Sequence, residues 1–143
     1  MRSWDGIEVN VGEFTEASEM ESPTCNYKGP IETIDGENYA EFIRKAFVSE
    51  LKFAGKYEAS APLTISGRLD RIENSTVTGT DWTITMTFWM SNGRSISLTE
   101  HYNYHGSVVG TVDSTCGASA AAFVPAVQNL IGKLVAQIPQ FAK

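Results

Sequence analysis

The stretch DWTITMTFWMSNGRSISLTEHYNY, residues 81–104, decides the fold, because its side chains alternate between apolar and polar along two consecutive segments. One face of the first segment carries the large apolar side chains of Trp82, Ile84, Met86, Phe88 and Met90. Alternation with a period of two is typical of a strand that buries one face. The two segments meet at Ser91-Asn92-Gly93, so the stretch predicts a β-hairpin.

The length of the hairpin loop follows from the side chains that it sets opposite each other. A two-residue turn at Asn92-Gly93 would place Met90 and Phe88 opposite serines and spoil the apolar face. A three-residue loop that starts at Ser91, with Gly93 in a left-handed bulge, matches apolar residues with apolar residues. We therefore predict the three-residue loop, with the opposed pairs Met90–Arg94, Phe88–Ile96 and Met86–Leu98.

The second face of the hairpin is rich in hydroxyl groups and holds one large apolar side chain, Trp89. Its other members are Thr83, Thr85, Thr87, Ser95, Ser97, Thr99, His101 and Asn103. An exposed tryptophan in such surroundings suits contact with a partner or a glycan, and it equally suits cover by a long loop. The candidate binding residues are Trp89, His101, Thr85, Thr87 and Thr99. Open strand edges also allow oligomerisation by strand addition.

The chain before the hairpin predicts two more strands and a helix. Alternating apolar residues predict strands over 7–14 and 63–72. Between them, apolar residues at three- and four-residue steps predict a helix over about 37–54, capped by Asp35. The stretch 15–35 has no periodicity and predicts a long loop.

The chain after the hairpin predicts a loop and then a second helix. Glycines and hydroxyl residues dominate 106–117, which favours a loop, with or without a short extra strand. Apolar spacing predicts a helix over about 118–138, and Pro139 is expected to end it. Because Pro125 lacks a backbone N–H, the helix should begin near it or kink one turn earlier.

The predicted fold class is α+β, a two-layer sandwich with the order β-α-β-β-β-α. Two helices are expected to pack on one face of a mostly antiparallel sheet, and the other sheet face stays open. With 143 residues, of which 42% are hydrophobic, the chain suits a single domain, 1–143. The formal net charge of −6 and the absence of a Lys/Arg cluster argue against nucleic-acid binding and a basic membrane patch.

Catalytic and metal-binding patterns are weak in this sequence. His101 and His105 share a predicted strand face, but four residues of strand span about 13 Å, too far for one metal ion. Cys116 and His105 can form a thiol–imidazole pair only if the loop folds back, and no third group orients them. We therefore expect no enzyme activity, no cofactor and no metal.

Two polar features of the predicted sheet need partners. Glu100 falls on the apolar face opposite Ile84, so it should lie near the sheet end or find a partner. Arg68 and Asp70 lie two residues apart on the polar face and are expected to form a surface ion pair. A structural role is the simpler interpretation of all three charges.

The two cysteines, Cys25 and Cys116, lie far apart in predicted loops. They can form one disulfide bond or remain two separate thiols, and the count alone does not decide between these alternatives. Neither has a neighbouring Cys or His at the spacing of metal ligands.

The segments NYAEFIRKAFVSELKFAGKY, residues 38–57, and LTISGRL, residues 63–69, carry a family resemblance. The pattern of a strand, a helix ending in "L..aG.y" and a strand with "i.G.l" resembles a group of bacterial envelope modules. The group includes auxiliary lipoproteins of ABC transporters, the curli-secretion lipoprotein and the N-terminal domain of the Tol-Pal translocation protein. The lipopolysaccharide-assembly lipoprotein has a comparable helix-and-sheet sandwich.

The resemblance implies a non-enzymatic module of the periplasm or of the periplasmic face of the outer membrane. Such a module acts through contacts with an envelope protein, and the resemblance favours a Cys25–Cys116 bridge. The segment SPTC ending at Cys25 follows no apolar stretch and does not look like a lipid-attachment signal, so a lipidated cysteine would precede Met1. The alternative functions are a carrier of a small lipid or glycan and, less favoured, a cysteine-dependent enzyme.

Overall fold

The computed structural model describes residues 6–18, 38–75, 80–104 and 112–141, with side chains for all of these except 75, 80, 104 and 112–121. The strands are β1 (Asn10–Glu16), β2 (Thr64–Ser75), β3 (Thr80–Met90) and β4 (Ser95–Tyr104), and the helices are α1 (Tyr39–Phe53) and α2 (Val112–Phe141). The sheet order is β1-β2-β3-β4, with β1 parallel to β2 and the other neighbours antiparallel. Both helices pack against the same sheet face, so the predicted α+β sandwich is confirmed.

The hairpin of β3 and β4 has the predicted register. Phe88 lies opposite Ile96, and the Met90 backbone N–H donates to the Arg94 carbonyl at 2.8 Å. The Gly93 N–H donates to the Met90 carbonyl at 2.9 Å, and Gly93 has a φ of +93°. These features define a three-residue loop with a left-handed glycine, as the side-chain pairing required.

The core lies between the sheet and the two helices, and one aromatic cluster joins all three elements. The Phe123 ring of α2 lies 4.9 Å from Trp82 in β3, 5.4 Å from Tyr39 and 5.3 Å from Phe42 in α1, between ring centroids. Rings at these separations and tilts add to the free energy of area burial. The cluster therefore fixes how α1 and α2 sit relative to the sheet.

β1 lies later in the chain than the predicted strand over 7–14, because Val9 forms only an isolated bridge with Tyr57. Between Val11 and Phe14, β1 advances by three residues while β2 advances by two. The extra residue is a β-bulge, and it lets both Val11 and Phe14 face the core. Without the bulge, strict alternation would turn the charged Glu13 inward.

β2 contains a second bulge and extends beyond the predicted end at Ile72. From Leu69 to Arg71, β2 advances by two residues while β3 advances by one, so Asp70 is the extra residue. After this point Ile72 is buried and Arg71 is exposed. The bulge thus keeps the apolar residues of both halves of the strand on the inner face.

Close packing around Gly67 explains why the "i.G.l" part of β2 needs a glycine. A Cβ at this position would lie 3.2 Å from atoms of Met86 and Phe88 and 3.3 Å from the Phe14 ring. The Phe14 ring therefore crosses β2 over Gly67, and it stacks on Phe47 of α1 with ring centroids 6.1 Å apart. The missing side chain makes room for a contact between the edge strand and the helix layer.

The predicted cap of α1 at Asp35 is wrong, because the helix begins later. Asn38 is the N-cap residue, and its Oδ1 accepts a hydrogen bond from the Glu41 N–H at 2.7 Å. The first backbone N–H groups of a helix have no acceptor within the helix, and an asparagine side chain at the N-cap accepts from one of them. Asp35 itself lies outside the described residues.

α2 is longer than predicted at both ends. It begins at Val112, inside the stretch predicted to be a loop, and both Pro125 and Pro139 lie within it. A proline in a helix interior costs about 3 kcal/mol, which is why Pro139 was expected to end the helix and Pro125 to start it or kink it. Phe123, just before Pro125, is buried in the aromatic cluster, and Pro139 follows the buried Ile138. Burial of the residues around each proline offsets the missing backbone hydrogen bond.

Two glycine-to-alanine substitutions should have opposite effects on stability. Gly93→Ala places a Cβ at a φ of +93° and should lower the free energy of unfolding by about 1–2 kcal/mol. Gly132→Ala lies in an exposed helical turn with no atom within 4 Å of the new Cβ, so it should raise stability by about 0.5–1 kcal/mol. Urea unfolding of the two variants checks this, and equal effects would contradict the loop geometry.

Candidate functional site

The sheet face away from the helices, here called the outer face, is the surface that the sequence singled out. Trp89 lies on it in β3 with 40% of its surface exposed. The guanidinium carbon of Arg68 in β2 lies 5.0 Å from the Trp89 ring centroid. This is a cation–π contact, and it holds the indole over the sheet.

Arg68 is itself held in place by a carboxylate. Its Nε forms an ion pair with Asp70, as the sequence predicted, and the Thr87 hydroxyl donates to the other carboxylate oxygen at 2.5 Å. A chain of contacts therefore runs from Trp89 through Arg68 and Asp70 to Thr87. Each group restricts the next, so the outer face presents the indole in a defined orientation.

Hydroxyl pairs continue the outer face across β3 and β4. The Thr85 and Thr99 hydroxyl oxygens lie 3.0 Å apart, and the Thr83 hydroxyl lies 3.0 Å from His101 Nδ1. Both are cross-strand pairs in the register of the hairpin, where side chains approach closely. All five candidate binding residues thus share one face, and their role in binding stays a prediction.

Arg68 and Asp70 are the members of this face that the sequence did not assign to the site. They were predicted as an ordinary ion pair because the register between β2 and β3 cannot be derived from either strand alone. In the structure Arg68 lies opposite Thr87, one step from Trp89. The sequence did carry a pattern that indicates this contact. Arg68 and Asp70 have i,i+2 spacing on a strand predicted beside the one that carries the outward Trp89.

Among the residues with described side chains, the inner face carries one buried charge, Glu100, opposite Ile84 as predicted. The partner that Glu100 was expected to need is Lys133 of α2: Nζ lies 2.7 Å from a Glu100 carboxylate oxygen and donates to the Thr99 carbonyl at 3.0 Å. About half of the Lys133 side chain is exposed, so water also solvates the ammonium group. A structural role therefore accounts for Glu100.

Two surface clefts are lined by described residues. One, of about 410 Å³, is bordered by Glu8, Glu58, Ser60 and Leu63, among others. Hydrogen bonds from the Ser60 backbone N–H and hydroxyl lower the pKa of Glu58 in this cleft. The other, also about 410 Å³, lies between α1 and α2 beside Phe53, which is almost fully exposed.

Several predictions of chemistry fall outside the described residues. Cys25 and His105 are not described, and neither is the Cys116 side chain, so the disulfide bond stays a prediction and the disfavoured thiol–imidazole pair stays untested. Among the residues that are described, no group of three or more His, Cys, Asp or Glu side chains is placed to hold a metal ion. No helix in the described ranges is both long enough and apolar enough to cross a membrane.

The fold has relatives among solved structures. Protein XCC0632 from Xanthomonas campestris, a DUF330 protein, is 15% identical with a TM-score of 0.60 over 93% of this chain and 84% of that chain. This similarity shows a shared fold. No protein-family model and no curated protein matches the sequence.

The dodecameric protein PelC from Paraburkholderia phytofirmans aligns with lower scores. A point variant is 18% identical over 83% of this chain and 85% of that one, with a TM-score of 0.43. A second crystal form is 13% identical over 79% and 86%, with a TM-score of 0.38.

Replacing Lys133 should destabilise the protein, because the buried Glu100 carboxylate then lacks a cationic partner. Lys133→Met removes the cation while keeping the length of the side chain, and should lower the free energy of unfolding by about 1–3 kcal/mol. Lys133→Arg, which keeps the positive charge, should retain most of the wild-type stability. Chemical denaturation of both variants at neutral pH is the measurement. Equal stability of the Met variant and the wild type would contradict a stabilising ion pair.

Proposed function

We propose that this chain is a non-enzymatic module of the bacterial cell envelope that binds a protein partner through its outer face. The envelope assignment rests on the resemblance carried by residues 38–57 and 63–69, and the fold shared with XCC0632 is compatible with it. The binding role rests on one observation. Trp89 is exposed on the outer face and is held there by Arg68.

A restrained exposed tryptophan is well suited to be the centre of a protein interface. Tryptophan and arginine are the residue types most enriched among those that dominate binding free energy. Because the Asp70 ion pair already orients Arg68 beneath the indole, little side-chain entropy remains to be lost on binding. The partner would cover the indole with an apolar group and keep water away from it.

The hydroxyl pairs around Trp89 supply the polar rim of such an interface. The Thr85 and Thr99 hydroxyls bind each other and keep acceptor lone pairs free toward solvent. The Thr83 hydroxyl and His101 Nδ1 form a second cross-strand pair at the far end of the face. Neutral groups of this kind lose less hydration energy on burial than charged groups, which favours a protein surface as the partner.

Site-specific photocrosslinking in the source bacterium tests the proposal. A photoreactive phenylalanine analogue at Trp89 should give a discrete protein adduct, because this position lies at the centre of the proposed interface. The same analogue at Phe53, which is exposed on the helix layer, is the matched control and should give none. Cell fractionation should place the adduct in the envelope.

The crosslinking result also separates the proposed function from its alternatives. Adduct formation at Phe53 but not at Trp89 would place the interface on the helix layer and reject the outer face. An adduct at Trp89 whose added mass is a glycan or lipid would reject a protein partner in favour of a small-ligand carrier. Arg68→Ala should weaken the Trp89 adduct, since the indole then loses its restraint.

A further inference from the structure

The two edges of the sheet differ in how their backbone groups are satisfied. At the β1 edge, the Val9 N–H donates to the Lys56 carbonyl and the Val9 carbonyl accepts from the Glu58 N–H, both at 2.9 Å. Arg44 of α1 then donates to the carbonyls of Val11 and Gly12 at 3.2 and 2.8 Å. This edge is therefore closed over its first half by the protomer itself.

In the part of the chain that the structure describes, the β4 edge is open over Ser95 and Ser97. The Met90–Arg94 hydrogen bond sets the alternation, so the backbone groups of Ile96 and Leu98 face β3 while those of Ser95, Ser97 and Thr99 face away. Lys133 binds the Thr99 carbonyl. Within the described residues, no backbone or side-chain group binds the outward N–H and carbonyl of Ser95 or Ser97.

β4 also lacks the features by which edge strands usually avoid pairing. The segment SISLT, residues 95–99, contains no proline, no charge and no bulge, and pairs with β3 without a register shift. On the inner face, Ile96 and Leu98 pack against the core but remain half-exposed at the edge. A strand added here would satisfy the free backbone groups and cover these two side chains.

We propose that the added strand is β4 of a second copy of this chain, antiparallel to the first about a two-fold axis through Ser97. In this register Ser97 faces Ser97 of the second copy, and the other opposed pairs are Ile96–Leu98, Ser95–Thr99 and Arg94–Glu100. The pairing is self-complementary: apolar residues face apolar residues, hydroxyls face hydroxyls, and a cation faces a carboxylate.

The Arg94–Glu100 pair is what favours a second copy over an unrelated strand. Arg94 is exposed, and no contact of its side chain is seen in the described residues, whereas Glu100 is buried at the edge beside a single partly solvated lysine. The Met90–Arg94 hydrogen bond places Arg94 opposite the buried Met90, which gives Arg94 the same strand parity as Glu100 on the inner face. Because of the two-fold symmetry, the dimer contains two Arg94–Glu100 pairs, one at each end of the interface.

The hydrogen bonds of the protomer tolerate this pairing. The Ser97 N–H and carbonyl each gain a partner, and neither has one to lose among the described residues. Thr99 keeps its bond from Lys133, because a carbonyl has two lone pairs and can also accept from Ser95 of the second copy. The result is one continuous sheet of eight strands, with both outer faces on the same side.

This inference does not rest on the proposed function, since the edge of β4 and the outer face are different surfaces. Sedimentation velocity of the full chain over a range of concentrations should show a monomer–dimer equilibrium. Amide hydrogen exchange measured by NMR should slow at Ser95 and Ser97 as the concentration rises, because these amides gain partners only in the dimer.

Two variants test the register. Arg94→Glu turns both end pairs into repulsive ones and should raise the dimer dissociation constant about tenfold. Lys56→Glu makes the same change in net charge far from β4, and should leave the dimer intact. Ser97→Pro removes the two central N–H donors and should raise the dissociation constant at least about tenfold.

Three results would overturn the inference. The first is a monomer at every concentration, and the second is a dimer unaffected by Arg94→Glu. The third is a dimer in which the Ser95 and Ser97 amides exchange as fast as in the monomer, which would place the interface elsewhere. Because Arg94→Glu changes only an exposed side chain, it decides the question even if Ser97→Pro does not fold.

Discussion

The structure depends on the apolar face of β3. This strand is paired on both sides, by β2 and by β4, and Trp82, Ile84, Met86, Phe88 and Met90 are all buried against the helices. Since a shift of one residue would exchange the two faces of the strand, every neighbour must adopt a register that respects this pattern. The three-residue hairpin loop and the bulge in β2 both serve that condition.

The bulges show how the sequence satisfies a constraint that simple alternation cannot. Val11 and Phe14 are three residues apart and Leu69 and Ile72 are too, yet all four face the core. An odd spacing is compatible with one buried face only if an extra residue is accommodated between them. In β1 this also turns two carbonyls toward Arg44, so the same irregularity closes the edge of the sheet.

The two faces of the sheet differ in composition: the inner face carries the core, and the outer face carries the residues of the proposed interface. The inner face holds the aromatic cluster around Phe123 and one buried carboxylate with its lysine. The outer face is polar and contributes little burial, so its residues are free to be chosen for contacts. Their pairing across three strands nevertheless gives Trp89 a defined environment, which a solvent-exposed loop would not provide.

The sequence by itself determined the element order, the hairpin register and the presence of a hydroxyl-rich face with Trp89, because these depend on local periodicity. It also required a partner for Glu100 without identifying Lys133. Only the tertiary structure decided the Arg68–Trp89 contact and the extension of α2 back to Val112 and past Pro139. These features arise between elements distant in the chain, where packing of neighbouring strands and burial around a proline outweigh local preference.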